Sequence, residues 1–271
     1  MVYDVSIIGV GFVGGACLNS FKDKVIKVFC HDKYKKDVNM GDIDNCLNTK
    51  MIFLCLPTIF DKTQGMYDKD AIYEVCSFLH ENKYDGIIIL KSTVEPQTTN
   101  NLCDKYPNLQ LIHNPEFITA RTANNDFHNQ IHIVLGKSKN CTDANLNYVD
   151  NFFSLYYPIA EITKCTSDES ETMKICVNSF YSVKIQFFNE LYLLCEKMNI
   201  SYDNVKDIML KNKWITPQHT SVPGPDGKLS YGGACFPKDT HALLEYMKRL
   251  DTRHMVLESV VNERNLMRDN D

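Results

Sequence analysis

The first half of the chain alternates short apolar runs with amphipathic stretches. Val5–Ile8 reads as a strand and Phe12–Phe21 as the helix that follows it. Ile26–Cys30, Met51–Leu56, Gly86–Leu90, Leu109–His113 and Ile131–Leu135 are further apolar runs of strand length. Helical stretches such as Lys69–Glu81 and Thr142–Tyr156 lie between them. Strands that alternate with helices predict a mostly parallel sheet covered on both faces.

The period changes in the second half. Ser167–Met198 contains neither Gly nor Pro, and Met173, Val177, Phe180, Val183, Phe187, Leu191, Leu194 and Met198 recur at spacings of three or four. That spacing predicts one long helix. Ile175, Ile185 and Phe188 add apolar positions off the stripe. A helix apolar on more than one side must bury more than one side, as a domain's central helix, a subunit contact, or both. A helix at about Asp203–Asn212 follows, then a loop with Pro217, Pro223, Gly224, Pro225 and Gly227, then helices around Lys238–Arg249 and His254–Met267. The expected organisation is an α/β domain over residues 1–165 and an all-helical domain over 166–271, joined by the long helix.

Gly9, Val10, Gly11, Phe12, Val13 and Gly14 match G-x-G-x-x-G between the first strand and the first helix. In that context the glycines allow a tight turn, backbone approach to a pyrophosphate and close helix–strand packing, with the helix N-terminus facing the phosphates. The first domain is therefore read as a Rossmann-type, doubly wound parallel sheet. Asp32 ends the second strand. A carboxylate there accepts ribose hydroxyl bonds and repels a 2′-phosphate, which favours NAD over NADP. Lys33, Lys35 and Lys36 either flank the adenosine or are solvated surface charges.

Composition narrows the classes. The 271 residues suffice for two domains with real cores, at 44% hydrophobic and 23% charged. A net charge of −5 with lysines interleaved among acids argues against a nucleic-acid partner. No apolar segment has the length of a membrane span, and no basic region precedes the first strand, so a cytoplasmic protein is expected. The 11 cysteines are scattered without a C-x-x-C pair, which suggests reduced thiols and no metal site.

The sharpest chemical signal is Tyr231-Gly232-Gly233-Ala234-Cys235-Phe236-Pro237-Lys238-Asp239. Paired glycines let backbone approach a ligand, and Pro237 suits a first helical turn. Cys235 then stands just before a helix N-terminus, where the dipole favours a thiolate. A lone cysteine is otherwise a small buried hydrophobe. Asp239, read alone, could be a carboxylate complementing the helix N-terminus.

This segment resembles the active-site motif of the UDP-glucose/GDP-mannose dehydrogenase family, usually G-[FY]-G-G-x-C-[FL]-P-K-D. Leu56-Pro57-Thr58 resembles its V-P-T turn, Lys91-Ser92-Thr93-Val94 its K-S-T-V block and Asn114-Pro115-Glu116-Phe117 its N-P-E-F block. Lys174, Asn178 and Phe188-Asn189-Glu190 resemble the blocks of its long helix. The similarity runs from residue 5 to about 265.

The resemblance implies oxidation of a nucleotide sugar's primary alcohol to the uronic acid with two NAD, UDP-glucose to UDP-glucuronate in the simplest case. By motif position Cys235 is the nucleophile, and Lys174 with Asn178 binds the developing oxyanion. Asp239 carries the proton, assisted by Thr93 through water, and Glu116 positions or activates water. Thr58, Thr93 and Lys238 would contact NAD. Phe117, Ile118 and Thr119 would line the sugar site with their backbone, and Gly232 would let the sugar nucleotide approach. The loop over 222–228 would cover the substrate. Read singly, Lys174 could instead snorkel along an apolar helix and Asn178 make a structural hydrogen bond. Family members dimerise through the helical domain, so a homodimer is expected.

Three features depart from the family pattern. Ala120 stands where a second glutamate is usual, leaving Glu116 alone for thioester hydrolysis. The stretch between Asp32 and Met51 is short. The family's C-terminal nucleotide-binding domain has no counterpart here, and a separate chain is expected to supply its contacts. Alternative substrates are GDP-mannose or a UDP-N-acetylhexosamine. Two further readings are a two-electron hydroxyacid dehydrogenase of 6-phosphogluconate type and a non-catalytic NAD-binding remnant.

Overall fold

The two central strands of the sheet, over 51–54 and 87–90, are apolar and buried at every position, because each is covered on both faces. In the computed structural model, which describes residues 3–38, 40–119 and 121–268, seven strands form this sheet. They are β1 (Val5–Ile8), β2 (Val28–His31), β3 (Met51–Leu54), β6 (Ile87–Leu90), β7 (Gln110–His113), β8 (His132–Lys137) and β9 (Glu161–Thr166). A separate two-stranded ribbon comprises β4 (Phe60–Asp61) and β5 (Met66–Tyr67). The order in the large sheet is β2-β1-β3-β6-β7-β8-β9, parallel throughout except where β7 meets β8. In register, Val5 pairs with Val28 and with Met51, and Met51 with Ile87.

The period of two along each strand divides the core. Met51, Phe53, Ile87 and Ile89 face one side, packed with Phe21, Phe127 and Phe153 of α1 (Phe12–Asp23), α4 (Ala123–His128) and α5 (Asp143–Tyr156). Ile52, Leu54, Ile88 and Leu90 face the other, packed with Ile72, Leu79 and Leu102 of α2 (Asp70–Glu81) and α3 (Thr98–Lys105). Full burial of such side chains contributes roughly 1.5–3 kcal/mol each. The chain leaves β1 for β2 on one side and returns to β3 on the other. The carboxyl ends of β1 and β3 therefore form the crevice at which such sheets bind ligands.

The described residues group into two compact units, Met1–Ile59 with Tyr67–Lys174, and Phe60–Met66 with Ile175–Asp271. The division falls inside α6 (Ser167–Met198), whose span agrees with the uninterrupted sequence pattern. The second unit continues with α7 (Tyr202–Leu210), α8 (Phe236–Arg249) and α9 (Met255–Met267). Its small apolar cluster centres on Phe188, Cys195 and Tyr202.

The inward face of α6 is largely polar. Asn178, Ser179, Ser182, Gln186 and Asn189 are buried, whereas Phe180 is 60% and Phe187 53% exposed. The three-and-four stripe of the sequence thus lies largely towards solvent in the single chain. Among the described residues no helix is long and apolar enough to cross a membrane.

In the first unit, Glu171 joins the start of α6 to α3. Its Oε1 accepts hydrogen bonds from Thr99 N (2.8 Å) and Thr99 Oγ1 (2.5 Å), and its Oε2 is buried without a hydrogen-bond partner among the described residues. Burial pushes the carboxyl up to about 7 against the donors' opposite pull. The unfolded chain ionises Glu171 near pH 4.5. Its contribution is therefore fully present below that pH and is lost as pH rises to about 7. Glu171→Gln should remove this slope, leaving the variant more stable than wild type at pH 8 by up to ~3 kcal/mol. Urea midpoints from pH 4.5 to 8 check it, and parallel profiles for the two proteins would refute it.

Candidate active site

The loop between β1 and α1 closes on itself at Gly14. A Cβ there would stand 1.9 Å from Gly9 O, so only glycine permits this approach of helix to loop. Gly11 caps α1 without any side-chain hydrogen bond, and the first turn holds no acid. Its N–H groups are left for an anion, as a dinucleotide pyrophosphate requires. Asp32 Oδ2 accepts from Val10 N at 2.7 Å, and Oδ1 from Tyr34 N and Lys35 N at 2.9 Å each. Burial alone would raise this carboxyl, but the three N–H donors and the Lys35 charge hold it below its ordinary value. It remains an anion beside the loop, which suits ribose hydroxyls and opposes a 2′-phosphate. Lys33 is paired with Glu74 on the surface, while Lys35 Nζ donates to Val10 O at 3.0 Å. The residues present therefore fit NAD.

The turns beyond β3 and β6 interlock. Thr58 Oγ1 donates to Thr93 O at 2.7 Å, and Ser92 Oγ donates to Leu56 O at 2.7 Å. Lys91, to which the sequence reading gave no role, is fully buried and donates to Asn114 O (2.9 Å) and Asn114 Oδ1 (2.8 Å). Burial holds its ammonium below the usual lysine range. It fixes the residue two before Glu116. The available signal was a lysine directly after the apolar run Ile87–Leu90.

Glu116 and Lys174 come together in the first unit. Lys174 Nζ donates to Glu116 O at 2.5 Å and lies 3.4 Å from Oε1. The same ammonium stands 5.2 Å from the Phe117 ring, which stacks on His132. Glu116 Oε2 accepts from Ile118 N at 2.7 Å, and Asp126 Oδ2 accepts from Thr119 N at 2.9 Å. The amides of Ile118 and Thr119 are thus engaged within the protein, and Thr119 O accepts from Thr122 N at 3.1 Å. Ala120 lies outside the described residues.

The second unit holds the segment over 231–239. Cys235 is exposed and is the N-cap of α8, with Pro237 in the first turn. Asp239, one turn on, is fully buried. Its Oδ2 accepts from Asn178 Nδ2 at 2.6 Å and its Oδ1 from Lys238 Nζ at 2.5 Å, while its backbone N donates to Cys235 O. Lys238, a sequence candidate for NAD, points its ammonium at this carboxylate. Asn178 and Lys174 are one turn apart on α6, as their spacing of four requires.

Arg264 of α9 and Arg268 just after it fix the segment before the cysteine. Arg264 Nε donates to Tyr231 O, and Arg268 donates to Leu229 O and Ser230 O while pairing with Asp226. A Cβ at Gly232 would stand 2.2 Å from Arg268 Nη1, so this glycine already has a close neighbour inside the protein. The sequence reading assigned nothing to Arg264 or Arg268, because an arginine near the end of a terminal helix has no local signature of burial.

Cys235 differs from the other cysteines in its surroundings. Burial pushes the thiols of Cys30 and Cys141 up to about 11 and those of Cys46, Cys55 and Cys76 up to about 12. Cys176 is exposed at the surface, yet partial burial raises its thiol as well. Iodoacetamide at neutral pH should therefore label Cys235 first, read by peptide mass mapping. Equal labelling of Cys176 would contradict an activated Cys235.

Residues 40–154 match the family model described as "UDP-glucose/GDP-mannose dehydrogenase family, NAD binding domain", and residues 168–265 match that family's central domain. The glycine loop precedes the matched stretch, so the cofactor cradle rests on its geometry. The chain is 32% identical over 225 residues to UDP-glucose 6-dehydrogenase of Rickettsia bellii (strain RML369-C), covering 79% of this chain and 49% of that protein. It spans about half the length of the curated relatives it matches. A UDP-glucose dehydrogenase structure from the hyperthermophilic archaeon Pyrobaculum islandicum superposes with a TM-score of 0.85 at 19% identity, over 98% of this chain and 68% of that one. A 3-hydroxyisobutyrate dehydrogenase from Mycobacterium tuberculosis gives 0.73 at 14% identity, over 99% and 95%. These structural likenesses show the fold, an NAD-type sheet followed by helices. The two family matches together cover most of the chain and agree with the motif blocks set out above: the chain belongs to the UDP-glucose/GDP-mannose dehydrogenase family, with NAD as its cofactor.

Proposed function

We propose that the protein oxidises the primary alcohol of a nucleotide sugar to the uronic acid, with UDP-glucose as the leading substrate and UDP-glucuronate as the product. The observation that carries this reading is the exposed Cys235 at the N-terminus of α8, one turn from the buried Asp239 held by Asn178 and Lys238. A two-electron dehydrogenase has no use for such a nucleophile.

Bound NAD supplies a hydride acceptor, twice per sugar. In the first oxidation the alcohol carbon gives up a hydride and its hydroxyl a proton, leaving an aldehyde. The Cys235 thiolate adds to the aldehyde carbon and forms a thiohemiacetal. This loses a second hydride and a hydroxyl proton to become a thioester. Water then cleaves the thioester, releasing the acid and restoring the thiol. Lys174 and Asn178 are assigned to the oxyanion, Asp239 with Thr93 to proton transfer, and Glu116 to the attacking water. Thr58, Thr93 and Lys238 are assigned to NAD contacts. The backbone of Phe117, Ile118 and Thr119 and the approach at Gly232 are assigned to the sugar nucleotide. A cytoplasmic setting with reduced thiols suits a cysteine nucleophile.

With purified protein, UDP-glucose and NAD, two NADH should form per sugar, and Cys235→Ala should abolish the second. One NADH per sugar with Cys235→Ser fully active would instead identify a two-electron hydroxyacid dehydrogenase. Turnover only with GDP-mannose or a UDP-N-acetylhexosamine would move the substrate within the same chemistry. NAD binding without turnover of any nucleotide sugar would leave the non-catalytic reading.

The solvent-facing apolar stripe of α6, with Phe180, Phe187, Leu194 and Met198, favours a homodimer through the helical unit. Phe187→Asp should shift the protein from dimer to monomer in sedimentation velocity. A wild-type monomer at micromolar concentration would reject this assignment.

A further inference from the structure

We propose that Arg121 is a cofactor-binding residue whose guanidinium grips the pyrophosphate of NAD beside the Gly9–Gly14 loop. The inference rests on the NAD reading and adds to it a residue outside the glycine motif.

An open groove runs along the N-terminal half of α1, lined by Gly11, Phe12, Gly15 and Asn19 on one side and by Arg121 and Asn124 on the other. Among the described residues no carboxylate lines it. A Cβ added at Gly11 or Gly15 would meet nothing within 4 Å, so the backbone is open to a ligand there. Arg121 is exposed and, among the described residues, has no hydrogen bond or ion pair. It is thus a cation with its full donor set available, at the mouth of a helix N-terminus that itself lacks an anion.

The position of Arg121 is fixed from both sides. Behind it α4 packs on α1, with Asn19 Nδ2 donating to Asn124 Oδ1 at 3.1 Å and Phe21 edge-on to Phe127. The acid of this segment, Asp126, accepts from Thr119 N, Thr119 Oγ1 and Thr122 Oγ1. Asp126 is therefore committed to shaping the turn that presents Arg121. A guanidinium offers paired donors that match two phosphate oxygens, which a lysine cannot reproduce. Asp32 and Lys35, which mark the ribose end, do not line the groove. The guanidinium accordingly meets the phosphates and does not read a 2′-phosphate.

A sugar nucleotide also carries a diphosphate, so the test separates the two ligands. NADH and ADP-ribose binding are measured by calorimetry on wild type, Arg121→Gln and Arg121→Lys, alongside KM for the nucleotide sugar. Arg121→Gln should weaken NADH and ADP-ribose alike, by about ten-fold or more, the usual reach of a charge-assisted hydrogen bond. Arg121→Lys should fall between, and KM for the nucleotide sugar should stay unchanged. Unaltered NADH and ADP-ribose affinities would overturn the proposal. So would a rise confined to the nucleotide-sugar KM, which would assign the guanidinium to the substrate. Wild-type protein that binds no NADH would overturn the cofactor reading itself, and this inference with it.

Discussion

The buried polar face of α6 is the constraint on which the second unit depends. Asn178 donates to Asp239, Ser182 accepts from Thr240, and Gln186 and Asn189 accept from the hydroxyl and the amide of Ser230. These residues follow one another at spacings of four, four and three, which is one face of a helix. Buried polar groups left unpaired cost roughly 1–3 kcal/mol each. The face therefore accepts one partner sequence in one register, the segment from Ser230 to Thr240. Cys235 lies in the middle of that segment and makes none of these contacts through its side chain. Cys235, the proposed nucleophile, is held by its neighbours and left exposed itself.

The first unit meets a different demand. Its sheet is covered on both faces, and its chemistry is confined to the loops at the carboxyl ends of β1, β3, β6 and β7. Each loop is held by a polar bond to the next: Asp32 to Val10, Thr58 to Thr93, and Lys91 to Asn114. Lys91 is the costliest of these, since a buried ammonium loses its hydration. Its two bonds to Asn114 offset that loss and fix the backbone leading to Glu116 and so to Lys174. The anion-binding end of α1 lies open beside them, with glycine where a side chain would intrude.

Much of this was legible in the sequence because it is written in local patterns. The inner strands announce themselves as apolar runs, the glycine loop by its place between strand and helix, and α6 by thirty-odd residues without a breaker. What escaped lacks such a pattern. β9 is an edge strand whose Glu161, Lys164 and three threonines or cysteines read as polar surface. α3 opens with Thr-Thr-Asn-Asn, poor helix formers that Glu171 holds from seventy residues away. The apolar stripe of α6 was readable, but not the direction it faces, because polar residues buried by pairing look like solvent-facing ones until their partners are known. The roles of Arg264, Arg268 and Lys91 were hidden for the same reason: their partners are backbone carbonyls or an amide far along the chain.

The most direct test of a cysteine-mediated oxidation is to look for the covalent intermediate. Protein mixed with UDP-glucose and excess NAD, quenched in acid within a turnover and digested, should yield the Cys235 peptide carrying the sugar nucleotide as a thioester. The adduct should be absent when NAD is omitted. Two NADH released per sugar with no adduct on Cys235 at any quench time, and with Cys235→Ser turning over at the wild-type rate, would contradict the account.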